Sequence, residues 1–289
     1  MLELDANGLR FVAHDAGRGP LVLCLHGFPD TPRSFRHQVP ALVDAGYRVV
    51  APYMRGYAPT EIPADGAYQT VVLGQDALGL IDALGAEQAI VFGHDWGALA
   101  AYALAAKHPR RISRLVAAAV PYGPAFLAAF TTSYEQLKRS WYTFFFQQPM
   151  AAMAVAHQDH RFIRRLWADW SPGWCVPEDE LQIVCDTLAR PGVLEAALAY
   201  YRCTLDPAFQ RPELAEEQGA QHLSPIEVPT LYLHGRADGC MGVELTADMA
   251  GMFPAGLTSV IVDGAGHFVH QEKPDVVNDA ILRFLADGR

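Results

Sequence analysis

Six short, mostly apolar runs, none longer than seven residues, constrain this 289-residue chain more than any other feature. They occupy residues 21–25, 47–51, 89–92, 114–120, 230–233 and 258–262. A strand with one wet face alternates apolar and polar residues. A strand covered on both faces has no reason to alternate, and short apolar runs are its mark. Helical patterns separate several of these runs, over residues 71–84, 98–108 (stopped by Pro109), 242–252 and a last one ending near Leu285. Strand and helix in alternation predict a mostly parallel, doubly wound α/β sheet. Two earlier runs, residues 2–4 and 9–14, alternate loosely and predict an antiparallel edge.

One interval breaks the alternation. For about 100 residues between Val120 and Thr230 the pattern is helical and aromatic-rich without a strand, opened by Pro121 and Pro124 and closed by Pro225 and Pro229. The expected organisation is a core from residues 1–123 and 226–289 with a helical cap, residues 124–225, inserted between its halves. A chain of this length can bury both. A cap over the C-terminal ends of parallel strands encloses a mostly apolar pocket, the usual form of a small-molecule site.

Other function classes fall away on composition. The net charge of −10 argues against nucleic acid, whose phosphates demand clustered Lys and Arg. No apolar stretch approaches the roughly 18 residues of a membrane span, and Glu3 and Asp5 stand where a signal peptide needs basic residues. Five cysteines, odd in number and without a CxxC pair, fit reduced thiols in a cytoplasmic protein. No phosphate loop or dinucleotide fingerprint is present, so no cofactor is expected. His157, Asp159 and His160 have metal-like spacing but sit among other charges, which predicts a solvated turn and not a metal site. A homodimer remains an open expectation.

Chemistry concentrates at Gly93-His94-Asp95-Trp96-Gly97, between the run 89–92 and the helical pattern from Ala98. Small-x-nucleophile-x-small at a strand-to-helix turn is a nucleophile elbow. The glycines give room for a tight turn, the central residue is held in a strained conformation, and the helix N-terminus favours negative charge. Aspartate in the central place changes the reaction. A carboxylate is ionised at neutral pH without help from a base. It attacks saturated carbon usefully, opening an epoxide or displacing a halide, whereas attack on an acyl carbon yields only an anhydride.

Elbow enzymes run nucleophile, acid, histidine along the chain. Gly264-Ala265-Gly266-His267 follows the final run and supplies the base, His267. His234-Gly235-Arg236-Ala237-Asp238 follows the run before it and supplies the acid, Asp238; residues 120–129 hold no Asp or Glu to compete. With no nucleophile to deprotonate, His267 is free to activate water against the ester of Asp95, while Asp238 fixes its tautomer. The oxyanion formed then needs two backbone donors. Trp96 N–H is one, and Phe28 N–H, in His26-Gly27-Phe28-Pro29, is the other. His26 is expected to orient that turn.

Together His26-Gly27-Phe28-Pro29, Arg55-Gly56-Tyr57, the elbow and Gly266-His267-Phe268 resemble the epoxide hydrolases and haloalkane dehalogenases of the α/β-hydrolase superfamily. The likeness runs over nearly the whole chain and is weakest in the cap. It implies the α/β-hydrolase fold with an inserted cap, and a structural part for Arg55-Gly56-Tyr57. In epoxide hydrolases a pair of cap tyrosines stabilises the leaving oxygen. The segment Ser140-Trp141-Tyr142-Thr143-Phe144-Phe145-Phe146-Gln147-Gln148-Pro149 is similar to the one carrying the first and selects Tyr142; Ala199-Tyr200-Tyr201-Arg202 is similar to the second and selects Tyr201, with Tyr200 in reserve. Helical spacing agrees, since Leu194, Leu198, Tyr201 and Leu205 share a face.

The resemblance implies an apolar epoxide and water as the reactants. A haloalkane dehalogenase would need weakly basic donors, commonly a second Trp or an Asn beside the oxyanion turn, where this chain has Phe28. Fluoroacetate-type dehalogenases place Arg after the nucleophile, where this chain has Trp96. These, and a non-catalytic ligand receptor on the same fold, are the competing readings.

Overall fold

The computed structural model describes residues 1–287. Eight strands form one sheet: β1 (Leu2–Ala6), β2 (Leu9–Gly17), β3 (Leu21–Leu25), β4 (Arg48–Pro52), β5 (Ala89–His94), β6 (Ile112–Ala118), β7 (Thr230–Gly235) and β8 (Leu257–Val262). Their spatial order is β1-β2-β4-β3-β5-β6-β7-β8. The pairings β1–β2 and β2–β4 are antiparallel, as the loose alternation of the first two predicts, and all others are parallel. Every residue of β3, β5 and β7 is buried, which is why their sequence runs do not alternate.

Side chains nevertheless alternate in destination. Val22, Cys24, Ile90, Phe92, Val116, Leu231 and Leu233 pack on one face, with α1 (Gln38–Asp44) and the C-terminal helices α11 (Val269–Glu272) and α12 (Pro274–Ala286). Leu21, Leu23, Leu25, Val91, Leu115, Ala117 and Tyr232 pack on the other, with α2 (Thr70–Ala83) and α3 (Trp96–Lys107). Each fully buried aliphatic side chain contributes roughly 1.5–3 kcal/mol on leaving water, so two apolar faces hold the sheet between helical layers.

The chain leaves β3 for β4 on one side and returns past β3 to β5 on the other. Between the C-terminal ends of β3 and β5 the connections diverge, and such a switch point is where open α/β sheets bind ligands. The loop after β3 carries Phe28, and the turn after β5 carries Asp95.

Between β6 and β7 lie only helices: α4 (Pro124–Thr132), α5 (Tyr134–Arg139), α6 (Trp141–Phe145), α7 (Ala151–Trp170), α8 (Glu178–Leu188), α9 (Val193–Leu205) and α10 (Ala215–Gln221), with two short 3-10 turns. Within α7 the backbone leaves helical geometry from His157 to His160, where Gln158, Asp159 and His160 take positive φ of 50–56°. His157 and Asp159 are exposed, but His160 is buried, so the turn expected there is only partly solvated.

One local expectation needs correcting. The helix read over residues 242–252 is two 3-10 turns, Val243–Thr246 and Ala250–Met252. Gly251 weakens a helix there, and the backbone is engaged elsewhere: Gly242 N–H donates to Gln136 Oε1 and Met252 O accepts from Ile226 N.

Candidate active site

Asp95 sits between β5 and α3 with φ 52° and ψ −120°, a conformation that costs a non-glycine residue about 1–3 kcal/mol. The turn leaves no alternative to its glycines. A Cβ on Gly93 would strike the Gly97 carbonyl, and one on Gly97 would strike the carbonyl of Leu25. A Cβ on Gly27 would strike the Asp95 carboxylate itself, so the loop after β3 presses directly on it.

That loop donates to the carboxylate. Phe28 N–H lies 2.7 Å from Asp95 Oδ1. Trp96 opens α3, where a backbone N–H has no partner within its own helix. His26 stands behind the turn: its Nε2 accepts from Met54 N at 3.0 Å, and its Nδ1 faces Gly27 O at 2.9 Å. Burial lowers its pKa to about 4, so the ring is neutral. These bonds fix the backbone that carries Phe28, and the ring does not line the cavity beside Asp95.

On the opposite side His267 follows β8. Its Nδ1 is 3.0 Å from Asp238 Oδ2, and its Nε2 is 3.6 Å from Asp95 Oδ2 with no hydrogen-bond partner among the described residues. Asp238 Oδ1 accepts from Cys240 N at 2.7 Å and Met241 N at 2.9 Å. With both oxygens committed, the carboxylate has one orientation available. Burial opposes the charged form of Asp238, but the adjacent imidazole and backbone donors outweigh it and hold the pKa below the usual range. Burial likewise opposes charge on His267; the carboxylates beside it, Asp238 and Asp95, work against that and favour the imidazolium, while burial keeps the neighbouring Cys240 thiol neutral. His270, three residues on, packs behind the site, its Nε2 2.6 Å from Ser34 Oγ.

A cavity of about 270 Å³ opens over Asp95. Tyr142 from α6 and Tyr201 from α9 line it with Asp95 and Trp96, their rings meeting edge-on at 5.7 Å. Burial raises both phenols well above the ordinary tyrosine pKa, so both remain protonated donors. Tyr201 Oη faces the Trp96 indole N–H without a hydrogen bond of good geometry, whereas Tyr142 Oη is 3.1 Å from Cys240 Sγ. Tyr200 is committed elsewhere, its hydroxyl donating to Arg55 O at 2.7 Å.

Known proteins are similar to this chain over nearly its whole length. The family profile described as alpha/beta hydrolase fold matches residues 20–274. Epoxide hydrolase A of Mycobacterium tuberculosis is 32% identical over 317 residues, spanning 98% of this chain and 96% of the relative. The chain belongs to the epoxide hydrolases of the α/β-hydrolase fold. Among solved structures, epoxide hydrolase A from Mycobacterium thermoresistibile superposes with a TM-score of 0.84 at 32% identity, covering 99% of this chain and 97% of that one. An epoxide hydrolase from Bacillus megaterium, complexed with its product, a naphthyloxy-propane-diol, gives 0.86 at 25% identity, covering 99% and 100%.

Within this epoxide hydrolase family member, much of the remaining cavity wall is apolar (Leu99, Val120, Phe126, Leu127, Phe130 and Met241), and Thr70, Thr143, Thr204 and His222 add polar groups to it. The α4 residues among them carry no sequence signal beyond apolarity. Leu194, Leu198 and Tyr201 are buried on the shared face of α9 as expected, while Leu205, at its end, lines the cavity mouth and is 41% exposed. Arg55 forms a bidentate pair with buried Asp76 at 2.7 Å to each oxygen, a scaffold contact below the site. His157, Asp159 and His160 do not converge as a ligand set. The cluster with ligand-like spacing found among the described residues is Asp238, Cys240 and His267, already tied by hydrogen bonds. No helix among the described residues is long and apolar enough to cross a membrane.

Proposed function

We propose that the protein hydrolyses epoxides to vicinal diols through an alkyl ester on Asp95, formed beneath a cap made by residues 124–225. The observation that carries this reading is the pair of phenols in the Asp95 cavity, Tyr142 and Tyr201.

Asp95 Oδ2 attacks an oxirane carbon, the C–O bond breaks, and the oxygen takes a proton from a tyrosine hydroxyl. Asp95 Oδ1 becomes the ester carbonyl oxygen, still facing Phe28 N–H. Neutralising this carboxylate removes one of the charges that favour a protonated His267, which favours the neutral imidazole that the next step needs as base. Water then adds to the ester carbonyl carbon and gives a proton to His267 Nε2, with Asp238 supporting the imidazolium. Phe28 and Trp96 N–H hold the resulting oxyanion. Collapse expels the glycol, which takes up the proton left on the Asp95 carboxyl. The proton on His267 returns to the tyrosinate, and one water is consumed per epoxide.

Buried phenols suit the first step, because a protonated donor is what an opening oxirane requires. Single Tyr142→Phe and Tyr201→Phe changes are expected to slow ester formation about 10- to 100-fold each, and the double change by about 10³ or more. Rapid-quench measurement of ester on Asp95 checks this; a double variant at wild-type rate would remove the tyrosines from the scheme.

One observation favours displacement of halide instead: Trp96 Nε1 is buried, Trp96 lines the cavity, and the indole N–H has no hydrogen bond of good geometry, Tyr201 Oη being the group it faces. A lone indole donor is weaker support than two phenols. A panel of epoxides and alkyl halides, scored together for diol and halide, tests the choice. Diol from the epoxides is the expected result, and halide release without diol would overturn it.

A further inference from the structure

The loop from Asp238 to Gly242 does more than carry the acid. Its N–H groups at Cys240 and Met241 fix the Asp238 carboxylate. Gln136, on α5 and fully buried, reaches across from the helical insertion and grips the same loop twice: Nε2 donates to Cys240 O at 2.9 Å, and Oε1 accepts from Gly242 N at 3.0 Å. A second bond from Gln136 Nε2, 2.7 Å long, holds Ser140 Oγ, two residues before Tyr142. The Cys240 side chain completes the set, its Sγ lying 3.1 Å from Tyr142 Oη.

We propose that Gln136 and Cys240 are positioning residues that aim the Tyr142 hydroxyl at the epoxide oxygen, registering the tyrosine to the loop that holds Asp238. The inference rests on the epoxide reading above. Its chemistry follows from the thiol. A thiol is a weak acceptor, so it holds the phenol without competing seriously with an oxirane for the phenolic proton. It is also a weak donor, able to face Tyr142 Oη once that proton moves to substrate. Gln136 satisfies backbone groups at both ends of its amide, so its removal strands a buried carbonyl and a buried N–H on this loop.

The deciding experiment compares Cys240→Ala, Cys240→Ser and Gln136→Met with wild type by rapid quench, following formation and decay of the ester on the Asp95 peptide by mass. Cys240→Ala and Gln136→Met are expected to slow ester formation about 3- to 10-fold, the size of one lost hydrogen bond. Ester decay should be slowed clearly less than ester formation, because the backbone bonds from Cys240 and Met241 to Asp238 do not depend on the Cys240 side chain, and Cys240→Ser should recover most of the loss. Equal slowing of both steps would mark general loosening of the loop and overturn the assignment, as would unchanged ester formation. Crystal structures of the two Cys240 variants read placement whatever the enzyme turns over: Tyr142 turned away in the alanine variant and restored in the serine variant is the expected result, and an unmoved Tyr142 contradicts it. If wild type forms no ester, the epoxide reading fails, and these structures still judge the placement.

Discussion

Asp95→Ala is expected to abolish diol formation, with a loss of about 10⁴-fold or more in kcat. The size follows from what the residue supplies. Without the carboxylate there is no attacking atom, and neither His267 nor the tyrosines can replace it; water activated by His267 would have to open the ring from a position arranged for attack on an ester. The fold should survive, since the helices and strands around the elbow are set by buried apolar faces and by Gly93 and Gly97. Steady-state diol assay beside a thermal melt separates the two effects. Activity within about tenfold of wild type in a folded variant would exclude Asp95 as nucleophile.

His267→Gln should divide the reaction in two. Ring opening needs Asp95 and the tyrosines, so an epoxide should still alkylate the protein in a first stoichiometric burst. Hydrolysis of the ester loses its base, and a positioned general base is worth about 10²–10⁴-fold, so the ester should accumulate. Intact and peptide mass then identify the substrate class as well as the step. An epoxide adds its whole mass because the leaving oxygen stays attached, while an alkyl halide adds its mass less the departing hydrogen halide. A full-mass adduct on the Asp95 peptide is the expected outcome. No adduct, with turnover lost, would place His267 before or within ring opening.

The sheet was legible because burial on both faces leaves an unmistakable pattern of short apolar runs, and the positions of Asp95, Asp238 and His267 follow from the ends of three such runs. Their convergence, with His267 Nδ1 3.0 Å from Asp238 and Nε2 3.6 Å from Asp95, rests on strand order, which sequence alone expresses only through family likeness. Residues 242–252 show where local pattern misleads: apolar spacing suggests a helix, yet tertiary bonds to Gln136 and Ile226 draw the backbone away. The cap was the least legible part. Tyr142 and Tyr201 rest on resemblance, with helical spacing alone favouring Tyr201 over Tyr200 only as far as a shared face with Leu194, Leu198 and Leu205. What separates them is a neighbour distant in the chain, Arg55 O, which takes the Tyr200 hydroxyl. Gln136 carries no sequence signal for the same reason, since its partners in the Asp238 loop lie about 100 residues away. Cys240 did carry a signal, two residues after the acid, but a lone cysteine has no meaning until Tyr142 is placed against it.

The central claim is that the carboxylate, and not water, opens the epoxide. A single turnover in ¹⁸O-enriched water with enzyme in excess over epoxide tests it directly. Attack by Asp95 transfers one of its own oxygens to the product, so the first diol should be unlabelled and the label should appear in the peptide containing Asp95. Labelled diol with an unlabelled Asp95 would mean that water attacks the ring itself, and the account would be wrong.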